Sequence, residues 1–164
     1  MNMAKRNTPT GEELLLRGFP PEDQEAFLGL GVVKAFGPQE YIVREGTPGD
    51  ALYIIRKGKA SVWKKDVKLG DLSEGDVFGE AVVLYPHNRI ACVQAERPTE
   101  VLEVKRDDLL TFFKWREERI FKYFILNIIS LLLDKLERAN DRIMYLEHTF
   151  REQVTWLLGG ERGS

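Results

Sequence analysis

Between Pro98 and Gly159 the chain contains neither glycine nor proline, although the part before that stretch holds most of its 14 glycines and all 7 prolines. Glycine and proline punctuate turns and break helices, so the first part is cut into short elements and the second is free to run as helix. This division predicts a turn-rich domain followed by a long helical segment, and it organises everything else in the sequence.

The turn-rich part opens with helix signals. Thr10 followed by Glu13 and then Leu14-Leu15-Leu16 has the capping-box spacing, with Gly18 as a stop. Pro20-Pro21-Glu22-Asp23 opens a second short helix whose apolar face is Ala26, Phe27 and Leu30. From Val32 the pattern changes to short runs rich in Val, Ile and Tyr: VVKAF, EYIVRE, ALYIIRKG, KASVWKK, DVFGE, RIACVQA and TEVLEV. Gly49-Asp50, Lys57-Gly58, Gly70-Asp71 and Gly75-Asp76 read as the turns between them. In EYIVRE and TEVLEV the side chains alternate, which predicts one buried and one wet face. About seven or eight such strands close into a jelly-roll-like β-roll. The fold class is therefore mainly β with helices: a double-stranded β-helix flanked by short N-terminal helices and followed by a long C-terminal helix.

That helix is predicted to start at Asp107-Asp108, which are good N-cap residues. From Ile125, apolar residues recur at Ile129, Leu132, Leu136, Ala139, Ile143, Leu146, Phe150 and Leu157, interrupted at Gln153. This is a heptad seam long enough for a coiled coil. From Glu117 to Leu158 a helix would span about 60 Å at 1.5 Å per residue, too far for its end to lie on its own small roll. A homodimer through this helix is expected. The organisation read from the sequence is residues 1–9 disordered, 10–113 the β-roll with its flanking helices, 114–158 the dimerisation helix and 159–164 a disordered tail.

Charge and composition exclude several classes. A formal net charge of −2 and a pI near 5.8 give no basic field for non-specific nucleic-acid binding. The single cysteine, Cys92, cannot form an internal disulfide, which suits a reducing compartment. MNMAKRNTPT has no apolar run behind its two basic residues, so no signal peptide is expected. YFILNIISLLL is interrupted by Asn127 and Ser130 and is shorter than the ~18 residues a membrane span needs. A cytoplasmic protein without membrane attachment is expected. With only His87 and His148, no catalytic constellation or metal cluster is visible, so neither an enzyme nor a metal site is expected.

One segment stands out. FGEAVVLYPHNRIACV, residues 78–93, reads as core except for two charges, Glu80 and Arg89. An opposite pair inside an apolar segment is expensive unless it binds something. Together with YIVREGTPGDALYIIRKGKASVW and LSEGDVFGE before it, this segment resembles the cyclic nucleotide-binding domain. That family includes bacterial catabolite activator proteins, kinase regulatory subunits and nucleotide-gated channels. The likeness covers about residues 12 to 140. The family's phosphate-binding cassette reads approximately FGELALIYGTPRAATV, and Phe78-Gly79-Glu80 and Arg89 fall in register with it without a gap.

The resemblance implies a β-roll with a long helix after it, and a ligand of cAMP or cGMP without any further cofactor. Arg89 would fork onto two phosphate oxygens, and Glu80 would accept from the ribose 2′-hydroxyl. Gly79 would let the backbone approach the ribose, and main-chain amides around Ala81, Ile90 and Ala91 would face the phosphate. Cys92 replaces the hydroxyl that in the family helps read guanine, which tilts the ligand toward cAMP. Asn88 stands where proline usually precedes the arginine, with Pro86 nearby, so the loop is expected to be shaped differently. The family covers the base from the long helix, which points to Asp134, Lys135 and Arg138. The activator branch carries a helix-turn-helix after this helix; here GGERGS follows instead, so action through an unnamed protein partner rather than DNA is expected. The competing readings are a dimerisation scaffold with a decayed pocket and a sensor of another effector, such as haem held near His87 and Cys92.

Overall fold

The computed structural model describes residues 8–159. The capping box forms as its spacing predicts: the Glu13 N–H donates to Thr10 Oγ1 at 3.2 Å, and the Thr10 N–H donates to the Glu13 carboxylate at 2.8 Å. Helix α1 (Gly11–Leu15) is short, and Gly18 beyond it sits at φ 85°, a conformation open to glycine. Helix α2 (Pro21–Leu28) starts on Pro21 and buries Phe27 completely.

Eight antiparallel strands follow: β1 (Val32–Phe36), β2 (Tyr41–Val43), β3 (Ala51–Lys57), β4 (Lys59–Lys64), β5 (Val67–Ser73), β6 (Val77–Phe78), β7 (Cys92–Ala95) and β8 (Thr99–Lys105). They form two four-stranded sheets, in the orders β1-β8-β3-β6 and β2-β7-β4-β5. A short helix, α3 (Ala81–Leu84), interrupts the strands after β6. Ala51, Tyr53, Ile55 and Val101 from one sheet meet Ala60, Leu72 and Val93 from the other, and together they make the core of the roll.

Two expectations about the strands change. Gly70 and Asp71 do not form a turn; they lie inside β5, opposite Val62 and Ser61. The turn is at Lys65-Asp66, where Lys65 takes φ 52° without being glycine. TEVLEV is not half wet either. As β8 it lies between β1 and β3, and Val101, Leu102, Glu103 and Val104 are all buried. A central strand covered on both faces loses the alternating signature.

The helical part is interrupted although nothing in it breaks helices by composition. Helix α4 (Arg106–Lys114) is capped from Lys105, which puts Asp107 and Asp108 inside its first turn rather than before it. The Trp115 and Arg116 N–H groups reach back three residues to the Phe112 and Phe113 carbonyls, and helix α5 (Glu118–Gly159) starts afresh. The cause is packing. Phe113 and Phe124 have ring centroids 4.7 Å apart, whereas residues that far apart in one straight helix would be separated by about 16 Å along its axis. Phe19 and Phe27 join the same cluster, so the chain must fold back to build it.

The chain divides into two compact units between Ile128 and Ile129, within α5. In the first unit, α5 buries Ile120, Phe124 and Ile128. Asn127, which interrupts the apolar window, donates from Nδ2 to the Leu15 and Arg17 carbonyls at 2.9 and 2.8 Å, satisfying acceptors at the end of α1. In the second unit, the seam residues Ile129, Leu136, Ile143, Leu146, Phe150 and Leu157 are exposed. Among the described residues, no helix is long and apolar enough to cross a membrane. Of the segments expected to be disordered, 1–9 and 159–164, Gly159 is instead the last residue of α5, and residues 1–7 and 160–164 lie outside the described residues.

Candidate functional site

The site begins where β6 ends. Gly79 follows at φ 72°, and Glu80 caps α3 in the right-handed region, only 2% exposed. Ten residues on, Arg89 is held at its backbone by a turn that precedes β3. Its N–H donates to the Thr47 carbonyl, and its carbonyl accepts from the Gly46 N–H, both at 2.8 Å. Pro48 and Asn88 form an isolated β-bridge beside this pair.

The Arg89 side chain is 7% exposed, and its Nη2 donates to the Ala51 carbonyl at 2.8 Å. The guanidinium carbon lies 5.4 Å from the centre of the Tyr53 ring. Two glycines make the space. A Cβ on Gly79 would lie 2.5 Å from Arg89 Nη1, and one on Gly49 would lie 3.1 Å from both Cζ and Nε. The cation and the Gly79-Glu80 turn are therefore brought together.

The remaining sequence-derived residues fall out as follows. Ile90 is 70% exposed, so its side chain does not plug the site, and its carbonyl accepts from Lys64 Nζ at 2.8 Å. Ala81 and Ala91 are half-buried. Cys92 opens β7, and its Sγ accepts from the Glu45 N–H at 3.2 Å. His87 is tied locally, with Nδ1 2.7 Å from the Tyr85 carbonyl, and among the described residues no three His, Cys, Asp or Glu side chains form a metal-holding group. Asp134, Lys135 and Arg138 lie in the second unit, where Asp134 and Arg138 form an i,i+4 ion pair.

Behind Arg89 lies a polar network that the sequence does not announce. The Tyr53 hydroxyl donates to Glu103 at 3.0 Å, and Lys34 lies 2.9 Å and Lys105 3.5 Å from the same carboxylate. Burial, then the charge and hydrogen bond of Glu103, push the Tyr53 phenol up to about 12 against the opposing charges of Arg89 and Lys105. For Glu103, burial raises the carboxyl, but the bonds from Lys34 and Tyr53 and the two lysine charges outweigh it and leave the group below its ordinary value. A cleft of about 440 Å³, lined by Gly49, Asp50, Pro86 and residues 105–108, shares Gly49 with the Arg89 slot but none of the sequence-derived site residues.

The profile of the cyclic nucleotide-binding domain matches residues 33–115, just over half of the chain and the whole of the slot. The chain belongs to the cyclic nucleotide-binding domain family. A 76-residue stretch is 43% identical to a cGMP-dependent protein kinase of Eimeria tenella, covering 46% of this chain and 8% of the kinase. A 74-residue stretch is 36% identical to a cAMP-dependent protein kinase regulatory subunit of Emericella nidulans, covering 44% of this chain and 18% of that subunit. The chain thus spans only a small fraction of these relatives. Among solved structures, the catabolite activator protein of Thermus thermophilus superposes with a TM-score of 0.69 at 26% identity, over 82% of this chain and 63% of that one. A cyclic nucleotide-binding domain from Methylobacillus flagellatus reaches 0.73 at 21% identity, over 80% and 79% of the two chains, a likeness of fold. The roll and its long following helix are this family's architecture.

Several residues of the slot have no role in the sequence reading. Gly49 stands within the REGTPGD motif, yet its closeness to Arg89 depends on a contact across the fold. Tyr53 reads there only as core. Lys64 closes a strand with an ordinary lysine and carries no sequence signal.

Proposed function

We propose that this chain is a regulatory sensor of a cyclic nucleotide, acting by binding rather than catalysis. The observation that carries the reading is the burial of Arg89 in a slot made by Gly79 and Gly49, beside the buried Glu80 in an otherwise apolar segment. Arg89 uses one short bond on Ala51, and a guanidinium has five N–H donors, enough to fork onto a phosphodiester as well. Glu80 accepts from the 2′-hydroxyl, with Gly79, Ala81, Ile90 and Ala91 offering main chain around the ring. Two charge-assisted contacts at 1.5–3 kcal/mol each amount to roughly a hundred- to ten-thousand-fold in affinity.

The ligand is cAMP in preference to cGMP. The engagement of Cys92 Sγ with the Glu45 amide supports this, because that position has no hydroxyl to offer a guanine. The protein acts as a homodimer through α5, a reading supported by the exposed apolar seam from Ile129 to Leu157. It signals in the cytoplasm through a protein partner.

Calorimetric titration with cAMP and cGMP tests the ligand. Micromolar binding of cAMP by the wild type, lost in Arg89→Ala with the far-ultraviolet circular dichroism unchanged, is the expected result. Normal cAMP binding by Arg89→Ala would refute the site. Sedimentation of the same chain carrying Ile143→Asp and Leu146→Asp tests the dimer: the wild type is expected at twice the monomer mass and the variant at the monomer mass.

A further inference from the structure

The loop that carries Ile90 is held from outside itself. Strand β4 ends at Lys64 and β5 begins at Val67, so their hairpin closes through Lys65 and Asp66. This tight closure puts Lys64 Nζ between two acceptors, the Ile90 carbonyl at 2.8 Å and Glu45 Oε1 at 3.1 Å. The other oxygen of Glu45 accepts from the Lys65 N–H at 3.3 Å. The bonds from Lys64 and then Lys65 hold the Glu45 carboxyl below its ordinary value, so it stays charged opposite the lysine. The residues after Glu45, Gly46 and Thr47, make the two main-chain bonds that fix Arg89.

These contacts divide the work. Gly46 and Thr47 anchor Arg89, while Lys64 anchors the next peptide. No peptide in the described chain is cis, and a trans peptide points its carbonyl and its N–H in opposite directions. Fixing the Ile90 carbonyl on Lys64 therefore aims the Ala91 N–H away from the lysine. An ammonium on the carbonyl also polarises the peptide and makes that N–H a stronger donor. Without the lysine, Arg89 keeps its anchor but the Ile90 carbonyl loses this partner.

We propose that Lys64 is a positioning residue for anion recognition: it orients and polarises the Ile90–Ala91 peptide so that the Ala91 amide donates to a cyclic phosphodiester. The inference rests on the reading that this loop binds the phosphate of a cyclic nucleotide. Lys64 is half exposed at a hairpin end, where an ion pair adds little to folding, so its removal tests binding rather than stability.

The experiment uses the full chain as wild type, Lys64→Met, Lys64→Arg and Arg89→Ala, titrated with cAMP by calorimetry, with the Ala91 amide followed by nitrogen-15 NMR. Wild type is expected to bind, Arg89→Ala to fail, Lys64→Met to bind about tenfold more weakly, and Lys64→Arg to restore most of the loss. The ligand-induced downfield shift of the Ala91 amide proton is expected to shrink in Lys64→Met and return in Lys64→Arg, which a purely structural role would not produce. Wild-type affinity in Lys64→Met, with Arg89→Ala still inactive, overturns this inference and leaves the phosphate site standing. Absence of binding by the wild type removes the phosphate site and this inference with it.

Discussion

Replacing Gly79 by alanine should disturb the slot in two ways that a second glycine allows to be separated. Gly79 sits at φ 72° and Gly46 at φ 82°, so alanine at either position incurs the left-handed penalty, roughly 1–2 kcal/mol. At Gly46 an added Cβ meets nothing within 4 Å, so that penalty is the whole effect. At Gly79 the Cβ would lie 2.5 Å from Arg89 Nη1, so the guanidinium must retreat by about 1 Å to reach ordinary contact. That movement breaks the 2.8 Å bond to the Ala51 carbonyl, a charge-assisted bond worth about 1.5–3 kcal/mol. Gly46→Ala is thus expected to melt ~2–8 °C below the wild type, at 2–4 °C per kcal/mol for a domain of this size, and Gly79→Ala a further ~3–12 °C lower. Gly70→Ala, where a Cβ also meets open space and φ is not positive, serves as the neutral control. Differential scanning calorimetry reads all three. If Gly79→Ala and Gly46→Ala melt within about one degree of each other, Arg89 is not packed against Gly79 and the geometry of the slot is wrong.

Other outcomes follow from the buried polar groups. Tyr53, raised to about 12 in the folded protein, should give an absorbance step near that pH in an alkaline titration, a step that Tyr53→Phe removes. Because its phenol is raised from an ordinary value near 10, the unfolded chain loses the proton first. The associated stability is intact below pH 10 and falls by roughly 3 kcal/mol at most as pH rises through 12, a fall that Tyr53→Phe should remove from the urea-denaturation profile. Asn127→Ala deletes both bonds to the end of α1 and should lower stability by about 1–3 kcal/mol, read from urea midpoints; Asn127→Asp, which cannot donate, should be no better.

What the sequence makes legible here is whatever depends on neighbours in the chain. The capping box at Thr10 and the proline that opens α2 state local rules and form as read, whereas the glycine-free stretch holds β8 and a break at residues 115–117 besides its helices. The features it conceals depend on residues distant in sequence. β5 hides because its turn uses Lys65 rather than a glycine, while Gly70-Asp71 mimics a turn inside the strand. The interruption at residues 115–117 has no breaker, because the Phe113–Phe124 contact imposes it. Asn127 looks like a flaw in an apolar window until the α1 carbonyls it satisfies are seen. In the candidate site, Glu80 and Arg89 announce themselves as charges among apolar residues. Gly49, Tyr53 and Lys64 do not, since each matters only through what it meets across the roll.

Glu103 gives the first sheet a safeguard during assembly. Its carboxylate draws on Lys34 from β1, Tyr53 from β3 and Lys105 from its own strand. Strand side chains alternate in direction, so a slip of β8 by one residue would carry the acid to the opposite side of the sheet, away from Lys34 and Tyr53, with only Lys105 of its own strand moving along with it. Alternative pairings that would look acceptable to a row of valines and leucines are thereby made unfavourable. One buried acid proofreads the alignment of three strands at once.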